Sequence, residues 1–445
     1  MTKDNELFGH PKGLFVLFFT EMWERFSYYG MRAILVLYLV SQTTGDNPGL
    51  GWTTGEALAL YGWYTMLVYV ASIPGGWIAD RVLGQKKSVL IGGLTLCLGH
   101  GILAVEEMWA FYTGLGLIIA GVGLLKPNIS TMVGGLYAAG DSRRDKGFTI
   151  FYIGINIGAF LSSLIVGVVG EIYGWHYGFG LAGIGMLLGQ AVYMGGQKHL
   201  THVGNLLSET TNAEDKAKYD QPLTKIEKDR VIVLLLSFLI VIVFWGAFEQ
   251  AGGLMNIYTL EKTNRVIAGM TIPASVFQSL NAAFIILLGT TVAGYWVKRS
   301  SKNKEASSLF KMAVGTMIMG LGFLFMTGAS AQFEANGESA MYWLVFAYLF
   351  HTIGELCASP VSLSFITKLA PVKYGSIMMG FYFAMTGFGN KLAGLLGESA
   401  AELGEYVIFT GIAVFCVIFG LLILTLLKKL KAMTHGAEDH EVEMH

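Results

Sequence analysis

Charge is scarce in this chain. Only 14% of its 445 residues are Asp, Glu, Lys or Arg, against about 25% in an ordinary soluble domain. With 53% hydrophobic residues, that shortfall points away from a soluble globular protein. The formal net charge of −1 leaves no basic surplus and gives no pointer to nucleic acid. Cysteine is nearly absent too. Cys97, Cys357 and Cys416 each lie in an apolar run, so they read as small core residues, not disulfides or metal ligands. No phosphate loop and no nucleophile elbow occurs, so nothing serves nucleotide-driven work or acyl hydrolysis. "GFGLAG" (178–183) has the glycine spacing of a dinucleotide site but lies in an apolar helix with no preceding strand, and reads as helix packing. "HEVEMH" has the wrong spacing for a zinc helix. His435, His440 and His445 sit in an acidic tail that reads as disordered.

What is present is long apolar runs and abundant glycine. A membrane-crossing helix needs about 20 mostly apolar residues, and small residues let such helices approach closely. Twelve candidate spans lie near 14–41, 56–79, 88–106, 109–137, 147–171, 177–196, 231–260, 273–298, 309–330, 340–367, 375–398 and 405–428. The first is too long and too charged to be a cleavable signal, so it reads as a permanent span. The longest polar stretch, 197–230, follows the sixth span and includes "SETTNAEDKAKYDQ". The expected organisation is an N-terminal six-helix bundle (1–196), a cytoplasmic linker (197–230), a C-terminal six-helix bundle (231–430) and a cytoplasmic tail (431–445). No convincing sequence repeat relates the halves.

Lysine and arginine set the orientation. Loops after even-numbered spans carry Arg81, Lys86, Lys87, Arg143, Arg144, Lys146, the lysines of the linker, Lys298, Arg299, Lys302, Lys304, Lys368 and Lys373. Loops after odd-numbered spans carry only Lys262 and Arg265, against Asp46, Glu106, Glu107, Glu334 and Glu338. Both termini are therefore expected in the cytoplasm. A six-plus-six layout suggests a transporter that holds its substrate near the midplane.

The first span departs from its apolar neighbours. In "TEMWERFSYYGMRA" (20–33), helical spacing gathers Glu21, Glu24, Arg25, Tyr28, Tyr29 and Arg32 into a stripe of roughly 140°. A charge at mid-membrane costs about 2.5–3.5 kcal/mol on the insertion scale. Four on one helix need a cavity and partners. The bland reading is a structural salt-bridge network, which leaves Arg25 and Arg32 in excess of local need. Other spans add Lys126, Glu249, Glu355 and Lys391. The acids divide evenly between the halves, while the bases fall mainly in the first. That pattern suits a zwitterion, its carboxylate toward Arg25, Arg32 and Lys126 and its ammonium toward Glu355. Carboxylates in such surroundings can titrate near neutral pH, so protons could be carried without a cofactor.

"GGWIADRVLGQKK" (75–87) resembles the cytoplasmic loop motif of the major facilitator superfamily. "EMWERFSYYGMRA" looks like the E-x-x-E-R-F-x-Y-Y-G motif of the proton-dependent oligopeptide transporter family. "FTIFYIGINIGAF" (148–160), "FWGAFEQAGG" (244–253) and "GELCASPVSLSFITKLAP" (354–371) resemble its spans 5, 7 and 10. The resemblance implies an all-α major facilitator fold with twelve transmembrane helices, and proton-coupled uptake of di- and tripeptides by alternating access. By motif match, Arg25, Arg32 and Lys126 would meet the peptide carboxylate. Glu355, with Asn156 and Asn281, would meet its amino end and backbone, and Tyr29, Tyr69 and Trp245 would line the pocket. Glu21, Glu24 and Glu249, with Arg25 and Lys126, would carry or gate the proton.

Two departures stand out. The 197–230 stretch is too polar to supply the extra helical hairpin of many bacterial members. The animal members' functional span-2 histidine is missing, with Gly62 near its place, so coupling here should rest on carboxylates. His351, one turn before Glu355, either touches the cavity or is a packed, hydrogen-bonded imidazole. The rival readings are a major facilitator transporter of another small zwitterion, anion or drug, and a membrane sensor or intramembrane hydrolase. The expected setting is a bacterial inner (plasma) membrane. The expected partners are peptides, protons and lipid, with no nucleic acid, no metal, no cofactor and no obligatory protein partner.

Overall fold

A computed structural model describes residues 6–138, 141, 143–206, 222–371 and 375–437. Residues 207–221 of the 197–230 linker, and His440 and His445 of the tail, lie outside them. Of the described residues, 82% are helical. Helical segments occupy all twelve expected positions, from Lys12–Val40 to Glu405–Met433. Among the described residues, nine are long and apolar enough to cross a membrane by length and composition. Lys12–Val40 is not one of them, because its middle carries Glu21, Glu24, Arg25 and Arg32. Among the described residues the β structure is three two-residue pairings, such as Glu6–Leu7 with His10–Pro11.

Local sequence explains where several helices start and bend. Span 7 begins at a reciprocal cap: the Thr224 hydroxyl accepts from the Glu227 amide at 3.2 Å, and the Glu227 carboxylate accepts from the Thr224 amide at 2.8 Å. That arrangement satisfies two otherwise orphaned donors. Pro127 lies inside span 4 and Pro360 inside span 10. Each removes a helical hydrogen bond, and each lies near a candidate charge, Lys126 or Glu355. Span 7 is not one continuous helix. Lys225–Phe248 tightens into a turn at Glu249–Ala251, passes Gly252 and Gly253, and resumes at Leu254–Lys262. Two adjacent glycines weaken helix propagation, so the break falls directly after Glu249.

By compactness the chain forms two units. The first comprises Met1–Thr53, Leu67–Thr211 and Val266–Ala283, and the second Thr54–Met66, Asn212–Arg265 and Phe284–His445. The start of span 2 thus belongs with the second unit, and the start of span 8 with the first. In the first unit span 1 packs on spans 5 and 6, and span 3 on span 4. There the Glu171 carboxylate accepts from the Ala274 and Ser275 amides at 2.8 and 2.7 Å. In the second unit span 9 packs on spans 10 and 12, and span 7 on span 11. Val233, Phe238, Val241, Met312, Phe365 and Leu369 anchor its core.

Candidate transport site

In the first unit the site residues of span 1 form a buried charge cluster. Arg25 Nε lies 2.8 Å from Glu21 Oε1 and 2.7 Å from Glu24 Oε2, and all three side chains are at most 4% exposed. Glu21 reaches Arg25 because it lies four residues earlier, one helical turn away. Glu21 Oε2, Glu24 Oε1 and Arg25 Nη2 are buried and make no hydrogen bond to the described residues. The cluster therefore keeps polar capacity beyond its own ion pairs.

Aromatic rings hold the remaining cations. Arg32 lies over the Tyr29 ring at 4.7 Å, with Arg25 at 5.8 Å from the same ring. Lys126 Nζ sits 3.6 Å from the Tyr69 ring centroid. Such contacts stabilise a cation where water is scarce. Lys126 is also an electrostatic neighbour of Arg25, Tyr29, Glu24 and Glu21. Asn156 is buried and donates to the Tyr152 carbonyl of its own helix at 2.9 Å. Asn281, at the start of span 8, is half-buried in this unit.

In the second unit Glu249 is 2% exposed and accepts a hydrogen bond from the Tyr61 hydroxyl at 2.5 Å. Trp245, one turn earlier, packs edge-on to Phe248 with centroids 5.1 Å apart. Glu355 is buried on span 10. His351, one turn before it, stacks against Phe323 at 4.4 Å, and neither ring nitrogen has a hydrogen-bond partner among the described residues. It is the packed imidazole, without the hydrogen bond expected of it. Lys391 lies over the Trp63 ring at 4.6 Å.

Nine of the sequence-selected residues thus fall in the first unit, namely Glu21, Glu24, Arg25, Tyr29, Arg32, Tyr69, Lys126, Asn156 and Asn281, and three in the second, Trp245, Glu249 and Glu355. Sequence reasoning missed Tyr61 and Trp63. Both flank Gly62, the position already marked by the missing histidine, and that was the one signal available for them.

A family model described as the POT family matches residues 86–212 and 207–406. The chain belongs to the POT family. It is 35% identical to a di-/tripeptide transporter of Lactococcus lactis subsp. cremoris, over 96% of this chain and 97% of that one. It is 34% identical to the peptide transporter YePEPT of Yersinia enterocolitica subsp. palearctica, over 88% of each chain. A crystal structure of the peptide transporter POT in complex with sulfate superposes with a TM-score of 0.89 at 35% identity, covering 96% of both chains. A mutant of POT in complex with alafosfalin superposes at 0.88 and 36% identity. Proton-coupled peptide symport is the function of the POT family. The fold is the major facilitator fold, and the chain is an integral membrane transporter, not an enzyme.

Proposed function

We propose that this POT-family transporter imports di- and tripeptides, with a role for each buried charge. Arg25, Arg32 and Lys126 take the peptide carboxylate, and Tyr29 and Tyr69 hold those cations in place. Glu355 takes the ammonium, with Asn156 and Asn281 on the peptide backbone and Trp245 lining the site. Glu249 carries the proton, while Glu21 and Glu24, tied to Arg25, gate it. The transporter lies in a bacterial inner membrane with both termini cytoplasmic, an orientation supported by the distribution of the loop lysines and arginines, and needs no cofactor and no second protein.

The observation that carries the reading is the asymmetry of buried charge. In the first unit three cations, Arg25, Arg32 and Lys126, outnumber Glu21 and Glu24, whereas in the second Glu249 and Glu355 outnumber Lys391. A zwitterion meets opposite demands at its two ends.

The energetics suffice. Moving one charge across 100 mV is worth about 2.3 kcal/mol, and one pH unit adds about 1.4 kcal/mol. One coupled proton can then concentrate a neutral dipeptide a few hundred-fold. Glu249→Gln in proteoliposomes tests the assignment. Accumulation driven by a pH gradient should disappear while exchange of labelled for unlabelled dialanine persists. Wild-type accumulation in that variant removes Glu249 from the proton path.

A further inference from the structure

We propose that Tyr61 is a positioning residue for Glu249, holding its carboxylate through the phenol hydrogen bond and thereby setting the pH range over which the transporter couples to protons. This rests on the assignment of Glu249 above and deepens it.

The contact is built into the backbone on both sides. Tyr61 is 1% exposed and Glu249 2%, and the hydroxyl-to-Oε1 distance is 2.5 Å. On the Glu249 side, the helix breaks at once, and a Cβ on Gly252 would overlap the Tyr61 hydroxyl. The glycine is what makes room for the phenol. On the Tyr61 side, the neighbouring Gly62 lies against span 11 so closely that a Cβ there would stand 3.0 Å from the Gly394 Cα. Leu58 lies one turn before Gly62, and a Cβ on Gly397 would come within 2.8 Å of its Cδ1. Tyr61 is therefore aimed by close contacts with span 11, where a Cβ at position 62 would need the Gly394 backbone to give by a few tenths of an ångström.

The chemistry follows from the partners. A phenol has a pKa near 10, so it stays protonated and donates whenever Glu249 is ionised. Hydrogen bonds to the charged form of a carboxylate favour that form. When Glu249 takes a proton, the carboxylic acid can donate to the phenol oxygen, so the contact survives with donor and acceptor exchanged. Other titratable groups are presented to this corner by the packed elements. Span 11 brings Lys391, which lies over Trp63. Span 10 brings Tyr348, whose hydroxyl donates to the Ala251 carbonyl at 3.5 Å. Glu249 also makes further interactions. The phenol is thus a tuning contact superimposed on that background.

The test is the pH profile of gradient-driven dialanine uptake, with each variant normalised to its own peptide exchange so that only folded, active protein counts. A hydrogen bond to a charged group is worth about 1.5–3 kcal/mol and a neutral one about 0.5–1.5 kcal/mol, so their difference is close to the 1.4 kcal/mol of about one pKa unit. Tyr61→Phe should move the midpoint to higher pH by about one unit, because the ionised form loses the stronger bond. Gly252→Ala, which displaces the phenol without removing it, should move the midpoint the same way and serves if Tyr61→Phe folds poorly. Glu249→Gln is run beside them. If it has lost driven uptake and the other two variants keep the wild-type profile, or shift to lower pH, the positioning role is overturned while the Glu249 assignment stands. If Glu249→Gln retains driven uptake, both fall together.

Discussion

The two units bury charge in different ways. In the first, charge answers charge: Arg25 sits within 2.8 Å of both Glu21 and Glu24 on its own helix. In the second, Glu249 accepts from a neutral phenol; cations rest on aromatic rings in both units, Lys391 on an indole here and Arg32 and Lys126 on tyrosines in the first. An ion pair resists a change in protonation, because neutralising one member leaves the other buried without its partner. A carboxylate bound to a phenol can gain or lose a proton with only a reversal of donor and acceptor. On the roles proposed above, the first unit supplies the cations that receive a carboxylate and the second the carboxylate that takes the proton.

Breaking the first arrangement should have the largest effect. Arg25→Met leaves Glu21 and Glu24 buried without their cation, at a cost of about 3–5 kcal/mol, read as a large drop in thermal stability of the detergent-purified protein. Adding Glu21→Gln and Glu24→Gln to that variant should restore most of the loss, since no orphaned charge remains. If the triple variant is no more stable than Arg25→Met alone, the cluster is not a locally balanced unit.

The next comparison crosses from protein to substrate. If the peptide ammonium meets Glu355, acetylating it and changing Glu355→Gln remove the same contact. Each should weaken binding by on the order of 2–5 kcal/mol for a desolvated pair, and the two losses should not add. Dialanine and N-acetyl-dialanine, each measured on wild type and on Glu355→Gln, complete the cycle. Near-additive losses would place the amine elsewhere, with Asn281 the next residue to vary.

A smaller effect should come from the glycine contact within the second unit. In Gly62→Ala the new methyl would stand 3.0 Å from the Gly394 Cα, a backbone atom that cannot rotate aside. Overpacking of this kind costs about 1–3 kcal/mol. Thermal stability should fall by that amount, while Gly76→Ala, where a Cβ meets nothing within 4 Å, should be silent. Equal behaviour of the two variants would deny the close approach.

Much of this was readable in advance because membrane burial simplifies the code. Apolar length marks the spans, and a charge inside one marks function, since its cost excludes casual placement. Glu21, Glu24 and Arg25 could be placed together because they share one helix and its known pitch. Tyr61 could not, because its partner lies 188 positions away, and nothing in local spacing encodes a contact between distant helices. The break after Glu249 was half-visible as two adjacent glycines, though glycine is too common in this chain to mark a break by itself. The division of span 2 between units was invisible, since hydropathy is continuous across Met66.

The smallest effect belongs to the clasp at the N-terminal hairpin of the first unit, the exposed counterpart of the Arg25 cluster. Arg143 reaches Asp141 Oδ2 at 2.8 Å, Glu6 Oε1 at 2.9 Å and the Gly9 carbonyl at 3.1 Å. It thereby ties the Glu6–Pro11 hairpin to the loop before span 5. His10 adds a contact to the Tyr137 hydroxyl at 2.8 Å. Side-chain and backbone hydrogen bonds from Arg143 hold the Asp141 carboxyl down to about 2. A depressed carboxyl stabilises the fold above its unfolded value, about 3.9, and that stability is lost as pH falls through about 2. Water screens such a pair, so its removal changes little. Asp141→Asn should therefore leave thermal stability and transport near wild type, yet speed hydrogen exchange at the hairpin amides of Leu7 to His10. The difference between variant and wild type should be full at pH 5 and should shrink toward pH 2, once intrinsic exchange rates are divided out. A difference that persists undiminished at pH 2 would show that Asp141 acts through shape and not charge.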